Sequence, residues 1–141
     1  SPRQLKLRAD RLGVQSDNLY VLSETCLGDV LQSVEEEKPD VLIVDSIQTL
    51  YQDSLESPAG SVAQVRACTL ELMQLAKGEG ITVFVTTHFM DEAEYCDRIS
   101  IMVDGVIRAL DTPGELKRQF NATTMDDVFQ QLARQAVRTA D

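Results

Sequence analysis

Two kinds of apolar spacing alternate along the first part of the chain. Short uninterrupted runs at Leu19 to Leu22, Val41 to Val44 and Ile81 to Thr86 suit strands buried on both faces of a parallel sheet. Between them the spacing becomes helical. Leu27, Val30, Leu31 and Val34 recur at i, i+3, i+4, i+7, and Val62, Val65, Thr69, Leu72, Met73 and Ala76 form a second stripe that stops at Gly78 and Gly80. Pro39 and Asp40 close the earlier helix and turn the chain into the second run. Strand and helix in alternation predict an α/β fold with crossover connections.

Beyond His88 the rhythm changes. Phe89 to Tyr95 is short and acidic, and two apolar runs, Arg98 to Val103 and Val106 to Leu110, flank Asp104-Gly105. An Asp-Gly pair in that setting predicts a two-residue hairpin. Thr112-Pro113 opens a short helix, because proline at the first turn forfeits no hydrogen bond. Asn121 to Thr124 breaks it, and a last helix carries Met125, Val128, Phe129, Leu132 and Ala136 on one docking face. With no repeat or linker in view, residues 1–141 read as a single domain.

Composition narrows the possible functions. A chain of 141 residues with 43% hydrophobic side chains buries roughly 68% of its unfolded surface and needs no staples. Thirteen basic against twenty-three acidic side chains leave a formal charge of −10, which argues against nucleic acid or anionic lipid as partners. The basic cluster Arg3, Lys6, Arg8 and Arg11 reads as a solvated helix face. Cys26, Cys68 and Cys96 are odd in number and lack metal-ligand spacing, so each reads as a small apolar residue in a reducing compartment. No apolar run reaches the ~20 residues that span a bilayer, and no signal peptide opens the chain. The expected location is cytoplasmic. Ser1 in place of Met suggests a processed chain.

The run ending in Asp45 has the form of a Walker B strand, which sets a carboxylate where Mg²⁺ on nucleotide phosphates would lie. Its surroundings are more specific. Arg8-Ala-Asp-Arg-Leu-Gly13, the stretch from Asp17 to Thr25, Lys38-Pro-Asp-Val-Leu-Ile-Val-Asp-Ser-Ile-Gln-Thr-Leu-Tyr51 and Ser57-Pro-Ala-Gly-Ser-Val-Ala-Gln-Val-Arg66 resemble the bacterial RadA/Sms family, RecA-like ATPases of recombinational repair. That resemblance covers about residues 3–88. From Val83-Phe-Val-Thr-Thr-His-Phe-Met-Asp-Glu-Ala-Glu94 onward the chain resembles the ATP-binding subunits of ABC transporters of the multidrug-export type. Cys96 to Gly105, Ala109 to Lys117 and Thr124 to Phe129 continue it over about residues 81–137. Taken together, the two resemblances imply an engineered or recombinant chimera, designed or selected, of a RadA-like part, about 1–87, and an ABC-ATPase-like part, about 88–141, joined within the strand at 81–88.

The resemblances imply a P-loop NTPase-derived, three-layer α/β/α fold without its phosphate loop. Strands at 19–22, 41–44, 81–86 and 98–103 are expected to close up into one mainly parallel sheet of about five strands, ending in the antiparallel hairpin. Val41 to Val44 would be central, and the first helix and the C-terminal helices would cover the face opposite the two crossover helices. The resemblance makes Asp45 a descendant of a Walker B position and His88 the match of a γ-phosphate contact, with Ser46 where ABC proteins carry a catalytic Glu. No Gly-x-x-x-x-Gly-Lys-Ser/Thr stands in these residues, so the phosphate cradle is lacking. No intact cofactor-binding, catalytic or metal site is therefore expected, and no cofactor; Asp45, Ser46 and His88 are remnants only. Asp91, Glu92 and Glu94 read as a solvated acidic helix start beside the single histidine. Ser23, Ser46 and Ser61 lack a nucleophile elbow. The leading expectation is a folded scaffold that is not an enzyme. The alternatives are a weak ATP/Mg-binding fragment of a RadA-like repair ATPase, and a homodimer module pairing through open sheet edges.

Overall fold

In the computed structural model, which describes residues 1–139, the predicted helices stand where their spacing put them. In chain order the elements are α1 (Pro2–Leu12), α2 (Leu27–Glu37), β1 (Val41–Val44), a 3₁₀ turn (Ile47–Thr49), α3 (Val62–Glu79), β2 (Thr82–Val85), α4 (Met90–Ala93), β3 (Ile99–Val103), β4 (Val106–Asp111), α5 (Pro113–Gln119) and α6 (Met125–Thr139). Local chemistry sets several of the boundaries. The Ser61 hydroxyl accepts from the Gln64 N–H and starts α3, and Gly80, at φ 68°, ends it in the left-handed conformation that glycine adopts freely. Thr112 accepts from the Glu115 N–H, with Pro113 in the first turn of α5. Asp104 and Gly105, at φ 52° and 75°, are both left-handed, as a tight hairpin turn between β3 and β4 requires.

β1 and β2 pair in parallel, with Ile43 opposite Phe84 and Val44 opposite Val85. β3 and β4 pair antiparallel, with an irregularity between Ile101 and Met102. The expected single sheet of about five strands is therefore corrected: the described residues hold two separate two-stranded sheets. The reason lies in what each pair packs on. Leu42, Val44, Val83 and Val85 face α2 and α3, in a core with Leu27, Val30, Ile47, Leu50, Val65, Cys68 and Leu72. Ile99 and Ile101 instead face α4, α5 and α6, in a second core with Ala93, Leu116, Met125, Val128 and Leu132. A hairpin that satisfies its own inner backbone groups and has its own helices to bury against has no need to join the first sheet.

Three further expectations are corrected. Leu19 to Leu22 forms no strand and is exposed throughout, because no neighbouring strand offers it a hydrogen-bonded ladder. β1 is not central: among the described residues β2 is its only strand partner, and Val41 and Ile43 lie open on the far face. α1 does not cover that face; none of its residues is buried. The last helix does dock, through Met125, Val128, Leu132 and Ala136, with Phe129 only half-buried at its margin. The two cores meet where α3 passes α4, and there the Arg66 guanidinium donates to the Tyr95 hydroxyl at 3.2 Å. Among the described residues, no helix is long and apolar enough to cross a membrane.

Candidate functional site

The carboxyl ends of β1 and β2 lie side by side, the position at which open parallel sheets present ligand-binding groups. Asp45 and Ser46 leave β1 there, and Thr86, Thr87 and His88 leave β2. The Asp45 carboxylate is exposed and accepts a 2.6 Å hydrogen bond from the Thr86 hydroxyl through Oδ1. The backbones are tied as well: the Ile47 N–H donates to the Thr86 carbonyl at 3.1 Å. The Ser46 carbonyl accepts from the Thr49 hydroxyl at 2.8 Å, which holds the 3₁₀ turn against the strand tip. Gln48 reaches across the same edge, its Nε2 donating to Thr87 Oγ1 at 2.6 Å, and the Phe89 N–H donates to that oxygen at 3.0 Å.

Asp45 and Ser46 are thus brought beside Thr86. His88 is exposed, and its ring stacks on Phe89 at a centroid distance of 4.9 Å. Thr86, Thr87 and Gln48 were not singled out by sequence reasoning. Their signal is positional: each sits within three residues of Asp45 or His88 at a strand tip. Mg²⁺ is held by one or two carboxylates together with substrate phosphates, and Asp45, with one oxygen already engaged by a hydroxyl, fits the carboxylate half of such a site. The phosphate half needs a row of free backbone N–H groups, and at this strand tip the Ile47 N–H is spent on Thr86. Two open hollows, one along α2 and α3 and one beside Asn121 and Arg134, include neither Asp45, Ser46 nor His88.

The acidic start of α4 is not uniformly solvated, which corrects a second reading. Asp91 is exposed, but Glu92 is buried and one of its carboxylate oxygens has no hydrogen-bond partner. Glu94 is half-buried and accepts from Lys117 Nζ at 2.6 Å and from the Met125 N–H at 3.2 Å, which binds α4 to α5 and to the start of α6. Of these carboxylates, Glu94 is the one that ties elements together. Among the described residues no group of three His, Cys, Asp or Glu side chains is placed to hold a metal ion. Of the cysteines, Cys26 and Cys68 are buried and Cys96 is half-buried. Burial pushes the Cys68 thiol up to about 11, away from thiolate chemistry.

Burial likewise raises the Glu92 carboxyl above its ordinary 4.5, opposed by the Arg66 charge and reinforced by Asp91. A folded-state value above the unfolded one favours folding while the group is protonated, and that contribution is lost as pH rises through the folded value. Glu92→Gln is therefore expected to be more stable than the parent at pH 7 and to converge with it near pH 4, where a glutamate in the unfolded chain is about half protonated. Urea midpoints at the two pH values check this; a Glu92→Gln chain less stable at pH 7 would show that the carboxylate is well served where it lies.

No family model matches the chain. It is similar to DNA repair protein RadA of Halalkalibacterium halodurans and of Bacillus subtilis, each 45% identical over 109 residues that make up 76% of this chain and 24% of the relative. DNA repair protein RadA of Campylobacter jejuni is 35% identical over an alignment of 150 residues that takes in 100% of this chain and 34% of the relative. The chain thus spans about a quarter to a third of the length of these curated relatives. Likeness to RadA also does not stop at residue 88, since 76% of the chain is longer than residues 3–88 and one alignment takes in all of it.

Proposed function

We propose that these residues form a scaffold that keeps the Mg²⁺-side remnant of a RadA-like nucleotide site and turns over no ATP. The observation that carries the reading is the geometry at Asp45. A Walker-type carboxylate projects at the ends of two parallel strands, yet it is tied to Thr86 and stands among backbone groups already paired with one another. Phosphoryl transfer is mostly positioning and charge neutralisation around the phosphates, and Asp45, Ser46 and His88 alone supply neither a cradle nor a phosphate lysine.

The same reading includes the joining of a RadA-like part to an ABC-ATPase-like part near residues 81–88. Its support is the motif change after Val83 together with the division of the interior. Every residue of the first core lies at or before Phe89, and every residue of the second lies at or after Met90. The similarity to RadA that continues past residue 88 is the finding this part of the reading has to accommodate. A cytoplasmic setting goes with the reading, as do three cysteines in no disulfide, two of them buried.

Phosphate release from ATP with Mg²⁺, compared between the parent chain and Asp45→Asn, is expected to be equal and at the background rate. Turnover that falls with Asp45→Asn would overturn the proposal. Calorimetry with Mg-ATP separates the second reading, a weakly binding fragment of a RadA-like repair ATPase, which the exposed Asp45 carboxylate favours. Heat that requires Asp45, with no turnover, would establish it.

A further inference from the structure

α4 stands between the two cores and is held differently on its two sides. Toward the second core Ala93 is buried with Ile99, Leu116 and Val128, and Met90 packs beside them. Glu94 fixes that side further, accepting from Lys117 Nζ at 2.6 Å and from the Met125 N–H at 3.2 Å. Toward α3 the hold is weaker. The hydrogen bond there, from the Arg66 guanidinium to the Tyr95 hydroxyl, lies on an exposed surface. One turn back from Tyr95 sits Glu92, 9% exposed, whose Oε2 has no hydrogen-bond partner among the described residues.

The charges around this carboxyl leave it short of partners. α3 contributes Arg66, whose charge acts on Glu92 but whose hydrogen bond goes to Tyr95. Elsewhere on α3, Glu71 and Glu79 line the hollow along α2, and Lys77 is eleven residues, ~16 Å, further along the helix. α4 and its end add Asp91, a like charge, and Cys96, which burial holds as the neutral thiol. From α5 comes Lys117, already engaged by Glu94. α6 presents Met125, Val128 and Leu132, while its Asp126, Asp127 and Arg134 line the open hollow beside Asn121. His88 before α4, and Asp97 and Arg98 after it, are exposed. A carboxylate taken from water without hydrogen bonds is strongly disfavoured, and burial accordingly holds the Glu92 carboxyl above its ordinary range.

We infer that the contact between α3 and α4 is a pH-operated joint, closed while the Glu92 carboxyl is protonated and opened by its ionisation. Once ionised, the carboxyl regains water by moving off α3. Little else is lost, because the two cores share no buried residue. α4 stays with the second core through Ala93 and Glu94, so opening swings that core away and leaves the helix intact. The closed joint binds a proton that the open one releases more readily. Closure is therefore favoured at low pH, and the preference is lost as pH rises through the value of the buried carboxyl.

¹⁵N relaxation of the whole chain, read as separate tumbling times for residues 27–85 and 99–136, tests the joint. At pH 7.5 both parts of the parent should tumble faster than in Glu92→Gln, whose amide stands in for the protonated carboxyl. Lowering the pH to 5 should slow the parent to the variant's values while the variant stays constant. Tyr95→Phe removes the Arg66 hydrogen bond and keeps the carboxyl, so it should tumble faster than the parent at pH 5 and still respond to pH. Circular dichroism should be unchanged throughout. A parent whose tumbling ignores pH overturns the proposal. So does a Glu92→Gln chain that slows as the parent does, the sign of association near the pI of about 4.5. A Tyr95→Phe chain with no pH response, or a change in circular dichroism over the same range, overturns it as well.

Discussion

Gln64→Leu is expected to lower the stability of the protein by about 3 kcal/mol, although leucine has nearly the same volume and the site is interior. Gln64 is 1% exposed, and its amide serves the loop after β1 rather than the apolar core. Oε1 accepts from the Gln52 N–H at 2.8 Å, and Nε2 faces the carbonyls of Gln52, Leu55 and Ser57 at 3.1, 3.2 and 2.9 Å. Two amide hydrogens thus serve three carbonyls, one of them shared. A hydrogen bond contributes about 1 kcal/mol net, and a buried group left without a partner costs ~1–3 kcal/mol. The loop is partly open to water, which can take over some of these groups, so the estimate stays at the lower end of the sum. Gln64→Glu should cost more than Gln64→Leu, because a carboxylate would face three carbonyl oxygens with no hydrogen to offer. Urea unfolding at pH 7 checks both, read as a shift of midpoint at constant slope. A loss below about 1 kcal/mol for Gln64→Leu would mean that the loop holds itself without this side chain.

That residue also marks where reading the sequence stopped short. The spacing predicts an apolar stripe of α3 through Val62, Val65, Thr69, Leu72, Met73 and Ala76. In the folded chain the buried positions are Gln64, Val65, Cys68, Thr69 and Leu72, while Val62 is 68% exposed. Periodicity located the helix and three of its buried positions, Val65, Thr69 and Leu72, but a stripe centred on apolar residues set the inner face to one side of a buried amide. Glu92 shows the same effect: in sequence it is one member of an acidic run, and in the fold it lies inside. Elements whose ends are set by local chemistry were legible: the Asp104-Gly105 turn, the Thr112-Pro113 start of α5, and the glycine stop of α3. Strand partnership was not. Leu19 to Leu22 and Val41 to Val44 look alike in sequence, but only the second finds a neighbour, because pairing is decided by segments remote in the chain. Of the candidate site, Asp45 and Ser46 were readable from the strand-end pattern. The Thr86 hydroxyl that engages Asp45 was not, since that contact exists only once β2 lies alongside β1.

Leu72→Ala and Leu116→Ala are each expected to cost ~2–5 kcal/mol, the range for removing a buried leucine side chain, and to act on different parts of the molecule. Leu72 is 2% exposed in the first core and Leu116 is 1% exposed in the second. The cores share no buried residue; α3 against α4, with the Arg66–Tyr95 hydrogen bond on an exposed surface, is the meeting ground the structure offers them. Contacts so few leave the parts free to open with separate free energies, as cooperative units within one chain often do. Hydrogen exchange followed by mass spectrometry reads each part through its own peptides. Leu72→Ala should speed exchange in α2, β1, α3 and β2 by a factor of roughly 30 or more, the kinetic equivalent of ~2 kcal/mol at 1.4 kcal/mol per decade, and leave β3 to α6 near the parent rate. Leu116→Ala should do the reverse. Equal acceleration of both parts by either substitution would show one cooperative core, and the division near residue 89 would then have no energetic meaning.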